Sequence, residues 1–413
     1  MTFFYFVLNK RAFVLLFRGK EMPARRNSSN FIFTFLGMLT AFGPFVTDMY
    51  LPGLPIMTKE FATSVSMVQM GLTFSMLGLA FGQLVFGPLS DKIGRRRPLI
   101  FSMWLFIFST TACIFAPNIQ IFVLLRFLQG IAASGGIVIA RSIATDKFKS
   151  RNLAKALAIV GAINGIAPIA APVVGGSVLG FIGWRGIFVI LLIIGCILLF
   201  FCFQFKESLS LQRRSREPLS QTLLLFKTIM QNKKYLFYTL EVSFALAILF
   251  AYIAASPFII QNHYGYSPFA FSLFFAANAV AIGLGSGVSV KFVSQQLCLK
   301  VSCRGMILCS LALLITLSAG ASIVIFEGLL FTLCFMMGLS FTVATALAMD
   351  SARANAGTAS AILGALGFLF GSIVSPLVGL GNILLSTGIC MVACAAAASW
   401  FAYRGIKSES RQR

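Results

Sequence analysis

The spacing of the apolar residues most constrains what this chain can become. They fall in twelve runs, near residues 31–54, 67–88, 98–116, 119–140, 156–180, 187–205, 235–257, 270–292, 305–325, 328–348, 357–380 and 383–403, separated by short polar stretches. A soluble helical protein shows apolar stripes instead, with polar residues on the opposite face. At 1.5 Å per helical residue, about twenty residues cover the roughly 30 Å hydrocarbon slab of a bilayer, where only a helix satisfies its backbone hydrogen bonds without neighbours. The expected fold class is an all-α membrane protein of twelve transmembrane helices.

Against this background, 33 Lys plus Arg and 11 Asp plus Glu, a net charge of +22, need an explanation other than nucleic acid. Sorted by loop, nearly all the cations fall on the even-numbered loops and the two termini. Lys10, Arg11, Arg18, Lys20, Arg25 and Arg26 lie ahead of the first run, and Lys206, Arg213, Arg214, Arg216, Lys227, Lys233 and Lys234 in the central interval. The opposite side holds Lys59 and Arg185. This is the positive-inside asymmetry, which places both termini in the cytoplasm and makes anionic membrane lipid, not nucleic acid, the partner of the excess charge.

Residues 1–21, MTFFYFVLNKRAFVLLFRGKE, are aromatic and basic but carry no small-residue cleavage site, which argues against a secretory signal. Two readings stay open: translation from Met22, or a short interfacial helix ahead of the first span. Most of the nine cysteines sit inside apolar runs, with Cys298 and Cys303 near a cytoplasmic loop, and His263 is the single histidine, so no metal site is expected.

The longest polar interval, Lys206 to Lys234, divides the runs six and six. The expected organisation is an N-terminal cytoplasmic segment 1–29, a bundle 30–205, a central cytoplasmic loop 206–234, a second bundle 235–403 and a tail 404–413. LLRFLQGI at 124–131 is echoed by TLCFMMGL at 332–339, and APVVGGS at 171–177 by SPLVGLG at 375–381. Such repetition predicts duplicated bundles around a central path. Arg126 and Gln129 become Cys334 and Met337 in the second copy, so polar chemistry is concentrated in the first.

Between the second and third runs, GPLSDKIGRRRP gathers Gly87, Asp91, Gly94 and Arg95 to Arg97. Glycines permit a tight interhelical turn, Asp91 can pair with a cation or a helix N-terminus, and the arginines are expected to stay in cytoplasmic water. The spacing resembles the GxLxDxxGRRxxL pattern of major facilitator superfamily transporters. That resemblance implies a latch that holds the two halves in the outward-open state, with Arg96, Arg141 and Asp146 joining the gating network. It also implies a proton-linked role for Arg126 in LLRFLQG, an arginine that must face the bundle interior rather than hydrocarbon. GAINGIAPIAAPVVGGS, with Gly161, Gly165, Pro168, Pro172, Gly175 and Gly176, is similar to the motif of the antiporter branches, where it is taken to prevent leak.

TDMYLPGLP (47–55), SPFIIQNHYGYSP (256–268) and TALAMDSARANAGTASAILGALGFLFGS (345–372) resemble the Bcr/CflA group of drug:proton antiporters, a likeness running from Asn30 to Tyr403. The chain departs from that group at Glu241, where a small or apolar residue is expected, and after the eighth run, where the acid of a second gate motif is missing. Glu241 reads equally as a cation or proton site and as a residue near the cytoplasmic interface.

Only Asp48 and Glu241 lie clearly inside runs; Glu327 and Asp350 sit at run edges. Asp48 and Arg126 are each roughly 10 Å in from the outer face by helical rise, so one hydrogen-bonded network joining them is expected, with Asp48 the proton-coupling acid. Tyr50, Gln129, Phe244, Tyr252 and Asn278, with Asp48, are the expected substrate lining. The reading is a monomeric, proton-coupled exporter of drugs or related amphipathic small molecules in the bacterial inner membrane, driven by the proton gradient without a cofactor. No GxxxxGK[ST] phosphate loop is present to support ATP-driven pumping. A metabolite exporter or importer is the alternative within transport; a membrane enzyme or a channel is the alternative outside it.

Overall fold

The computed structural model describes residues 27–148, 150–214, 219–353 and 356–410, and the regular structure among them is helical. The two readings of residues 1–21 lie outside the described residues. The helices are α1 (Ser29–Asp48), α2 (Leu54–Glu60), α3 (Val65–Ile93), α4 (Arg96–Ile114), α5 (Ile119–Lys147), α6 (Ser150–Gln204), α7 (Leu219–Gln231), α8 (Lys233–Phe258), α9 (Pro268–Ser289), α10 (Gln295–Ala319), α11 (Ile323–Ser351), α12 (Ala356–Leu377) and α13 (Ile383–Ser410). Helix α7 occupies part of the interval expected to be loop.

Each polar interval supplies a stop and a start. Ser28, Ser64, Asn118, Asn232, Ser267 and Ser294 cap the following helices, their side chains accepting backbone N–H groups of the first turn that have no intrahelical partner. The first run is a helix, a 3₁₀ turn at Leu51–Gly53 and the short α2, with Pro52 and Pro55 at starts that need no N–H donor. The fifth and sixth runs lie on one continuous element, α6, broken at Gly183, whose φ of 64° and ψ of 179° no helix accommodates. Among the described residues, eleven stretches are long and apolar enough to cross a bilayer, the Gly165–Gln204 part of α6 counting once. The chain is an integral membrane protein.

The expected duplication has a counterpart in packing. In the first half α3 crosses α5 so closely that a β-carbon on Gly78 would overlap the Phe127 carbonyl, and one on Gly130 the Ser75 carbonyl. In the second half α9 crosses α11 in the same manner, Gly285 against the Phe335 carbonyl and Gly338 against the Ile282 carbonyl. Phe127 and Phe335, like Gly130 and Gly338, hold equivalent positions in the two echoed segments. Glycine allows backbones to touch where hydrophobic burial offers no drive between helices already in lipid.

The two bundles, α1–α6 and α8–α13, meet through α3 against α12 and α6 against α9. Hydrogen bonds join them at the end where α1 finishes and α3 begins. Ser66 Oγ donates to Pro376 O at 3.1 Å, Gln69 Nε2 to Ala254 O at 2.9 Å, Gln261 Nε2 to Pro52 O at 3.0 Å and Ser272 Oγ to Pro172 O at 2.7 Å. This is the closed end of the molecule.

Candidate functional site

A cavity of about 570 Å³ lies between the bundles. Thr47, Asp48, Gln83, Gly165 and Pro168 line it from the first bundle; Phe250, Tyr252, Phe275 and Ser286 line it from the second. The wall continues to Arg141, near the end of α5 away from the closed end. Asp48 is the last residue of α1, so the point where the helix stops sets its carboxyl into the wall.

Arg126 is close enough to Asp48 to interact with it electrostatically, but its hydrogen bonds go elsewhere. Its Nη1 and Nη2 both donate to Val46 O at 3.1 Å, Nη1 also reaches Gln129 Oε1, and the guanidinium lies 4.3 Å from the Tyr50 ring centroid. The cause is the end of α1: carbonyls of a last helical turn lack intrahelical partners, and a buried cation there meets both the lone pairs and the negative end of the helix dipole. Gln129 is fixed in turn by donating to Thr110 Oγ1 at 2.7 Å. Tyr50 and Gln129 are wholly buried in this cluster and do not line the cavity, correcting the expected substrate lining. Thr110 escaped sequence reasoning because a hydroxyl inside a span carries no distinguishing pattern.

Two more lining residues are corrected. Phe244 packs on Phe370, 4.7 Å between centroids, and on Phe401 at 5.6 Å, which turns it toward α12 and α13. Asn278 is buried behind Tyr252, donating from Nδ2 to the Tyr252 hydroxyl at 3.2 Å and to Glu327 Oε1 at 2.8 Å. Tyr252 itself is in the wall, stacked on Phe275 at 5.6 Å. Glu241 is fully buried outside the cavity wall, and accepts from Ser340 Oγ and from Cys303 Sγ at 3.9 Å. Three helices thus hold its carboxyl inside the second bundle.

Of the residues expected to gate, Asp91, Arg95 and Asp146 meet at the other end of α3. Arg95 pairs with Asp91, donates from Nε to Asp146 Oδ2 at 2.9 Å and from Nη1 to Ser90 Oγ at 2.8 Å. Burial pushes its guanidinium down, but Asp146 and Asp91 outweigh this and hold it above its ordinary value. The arginines were expected in water; Arg95 is 6% exposed, and Arg96 donates to Phe203 O at 2.8 Å. Glu207, an acid in an interval of basic residues, organises the turn. It accepts from the backbone N–H groups of Arg95, Arg96, Ser208 and Leu209 at 2.9, 3.1, 2.9 and 3.0 Å, capping α4 with a negative charge. Of the two glycines expected in the turn, only Gly94 is there, at φ of 96°; Gly87 lies within α3. Arg141 stands apart at the cavity wall, without an ion pair to Asp91 or Asp146.

The glycine and proline motif of α6 divides between cavity and seam. Gly161 lies within α6, and Gly165 and Pro168 face the cavity. Pro172 O receives the bond from Ser272, Gly175 rests on the Met49 carbonyl, and Gly176 abuts Ser272 and Pro268 of α9.

The profile of the Major Facilitator Superfamily matches residues 34–376. The chain is 38% identical over 356 residues to the uncharacterized MFS-type transporter YdgK of Bacillus subtilis, covering 84% of this chain and 88% of that one. It is 28% identical to a bicyclomycin resistance protein homolog of Haemophilus influenzae, over 93% and 99% of the two chains, and 26% identical to the chloramphenicol resistance protein CraA of Acinetobacter baumannii, over 82% and 83%. Among solved structures, it is similar to a bacterial homolog of the human lysosomal transporter Spinster in an inward-facing, unoccupied conformation, with a TM-score of 0.74, 16% identity and coverage of 94% and 99%. It is likewise similar to the xylose transporter XylE of E. coli, with a TM-score of 0.66, 15% identity and coverage of 89% and 97%. With the profile spanning most of its length and a relative 38% identical across 84% of it, the chain belongs to the Major Facilitator Superfamily.

Proposed function

We propose that this chain is a proton-coupled exporter of drugs or related amphipathic small molecules, acting as a monomer in the bacterial inner membrane with both termini in the cytoplasm. The observation that carries the proposal is the carboxyl of Asp48 in the wall of a cavity sealed at one end by bonds between the bundles. An acid there can change the side from which it exchanges its proton when the seal moves to the other end. By the positive-inside asymmetry the end carrying Gly94 and α7 is cytoplasmic, so the cavity faces inward. Relatives named for bicyclomycin and chloramphenicol resistance support an amphipathic drug as the class of substrate.

In this cycle Tyr252 and Phe275 offer an aromatic surface for the apolar part of the substrate, and Asp48 on the facing bundle exchanges a proton for it. Arg126 holds the end of α1, so that the position of Asp48 follows the helix. The cluster of Arg95, Asp91, Asp146 and Glu207 keeps the cytoplasmic turn ordered while the cavity is open on that side. The energy source is the proton gradient, and two bundles around one cavity make a single chain sufficient.

The test is efflux from proteoliposomes with an imposed pH gradient, using a panel of neutral and cationic drugs. Gradient-dependent movement of at least one compound, lost when the gradient is collapsed, is expected. Transport unaffected by the gradient overturns proton coupling.

A further inference from the structure

At and behind the cavity wall of the second bundle stands a polar cluster of which the transport reading uses only the ring of Tyr252. Asn278, wholly buried on α9, spends its amide group on two partners, the Tyr252 hydroxyl on α8 and Glu327 Oε1 on α11. Its Oδ1 has no hydrogen-bond partner and neither has Glu327 Oε2, while the hydroxyl of Ser256, which is 1% exposed and one helical turn beyond Tyr252, lies beside the Tyr252 hydroxyl. Buried polar atoms without partners are uncommon, and a group of them around a carboxylate points to something that belongs there.

The charge points the same way. Glu327 forms no ion pair among the described residues. The titratable groups in electrostatic contact with it are Tyr252 on α8, Tyr264 in the segment that follows, and Cys334 farther along α11; none supplies a positive charge. A carboxylate among apolar helices needs a compensating cation. The unpartnered carboxylate and amide oxygens, with the hydroxyl oxygens of Tyr252 and Ser256 beside them, are the ligand set of a hard cation.

We propose that Glu327, Asn278, Tyr252 and Ser256 form a second cation site, which holds one monovalent cation, a proton or a sodium ion, independently of Asp48. Its place gives it access that Asp48 lacks. Glu327 is half-buried near the start of α11, whereas Tyr252 is in the cavity wall, so the cluster reaches from the periphery of the second bundle to the cavity. The site stands on its own geometry and holds whatever substrate the cavity accepts. For a proton, the carboxylate forms one O–H bond and nothing leaves; for sodium, the four side chains supply oxygen lone pairs.

The experiment is infrared difference spectroscopy in the carboxyl region on the full chain, reconstituted in phosphatidylethanolamine and phosphatidylglycerol vesicles. One arm steps the pH in choline chloride; the other exchanges choline chloride for sodium chloride at fixed pH. A carboxyl signal that is present in wild type and Asp48→Asn and absent from Glu327→Gln is expected. Response to pH alone identifies a proton site, and response to sodium at fixed pH identifies a sodium site. Tyr252→Phe, which keeps the ring, and Asn278→Ala are expected to shift the midpoint of that signal at least threefold in ion concentration. Spectra of folded Glu327→Gln identical to wild type in both arms overturn the site. Should that variant not fold, an unchanged midpoint in both Tyr252→Phe and Asn278→Ala overturns it as well. Failure of Asp48 as the transport acid leaves this signal in place, so the two proposals fail separately.

Discussion

Arg126 donates from both terminal nitrogens to the carbonyl oxygen of Val46, at 3.1 Å each, two residues before α1 ends at Asp48. A buried arginine on α5 is thereby the cap of α1. Lysine cannot reproduce it, since an ammonium lacks the planar fork and the face that lies on Tyr50. Hydrogen bonds from a charged donor contribute about 1.5–3 kcal/mol. Arg126→Lys is expected to lower the melting temperature by several degrees and to reduce efflux about tenfold or more. Thermal unfolding in detergent and proteoliposome transport are the measurements; a wild-type melting temperature contradicts the capping role.

Asp48 and Glu241 are the two acids placed deep within spans, and the structure separates their surroundings. Asp48 faces the cavity, whereas Glu241 is enclosed by α8, α10 and α11 with Ser340 and Cys303 as partners. Asp48→Asn keeps the shape but cannot release a proton, so it is expected to abolish gradient-driven efflux while allowing passive exchange. Glu241→Gln retains an acceptor for Ser340, so at least half the wild-type rate is expected. The reverse result, measured under one imposed pH gradient, moves the coupling site into the second bundle.

The fold was legible because its cause is local. Twelve runs of bilayer length bounded by capping Ser and Asn dictate the helices, and the kink of α6 at Gly183 falls between two runs already separated in sequence. The site was legible only where a motif fixes it. Asp91, Arg95 and Asp146 converge as expected, but their organiser Glu207 did not stand out, because its partners are backbone N–H groups that every residue type carries. Gln129 and Asn278 lie on their expected helices and Tyr50 in the turn after α1, yet all three are buried out of the cavity wall. Helical periodicity names a face, while a few degrees of rotation and a partner such as Arg126 or Glu327 decide whether that face reaches the cavity.

Sidedness follows from the cations rather than from the fold, since a bundle of this kind inserts either way until the flanking charge chooses. Reporters fused after Arg413 and inserted beside Asn262 are expected on opposite faces, cytoplasmic and external respectively. Labelling of both by one impermeant reagent in intact cells contradicts the six-plus-six topology.

The echoed crossings give a stability contrast. A β-carbon at Gly130 or Gly338 meets the backbone of the facing helix, and backbone cannot rotate away. Gly165, in contrast, has nothing within 4 Å of where a β-carbon would stand. Overpacking typically costs about 1–3 kcal/mol, and more where main chain is the obstacle. Gly130→Ala and Gly338→Ala are expected to melt well below wild type, and Gly165→Ala at its temperature. Equal melting of all three contradicts the close crossings.

Glu207 offers the sharpest test of the cytoplasmic cluster, because its partners can be watched individually. One carboxylate accepts from four backbone amides, those of Arg95, Arg96, Ser208 and Leu209, and so ties the segment after α6 to the turn before α4. Glu207→Gln keeps one oxygen acceptor and replaces the other with an NH₂ that repels the Arg96 N–H. Losing charge-assisted bonds of about 1.5–3 kcal/mol corresponds to roughly tenfold or more in local opening. Hydrogen exchange at these four amides is therefore expected to accelerate at least tenfold, with the amides of α5 unchanged. Efflux is expected to slow while drug binding stays near wild type, since the cluster does not line the cavity. Unaltered exchange at Arg95 and Arg96 removes Glu207 from the gate and leaves Asp146 and Asp91 as the groups that hold Arg95.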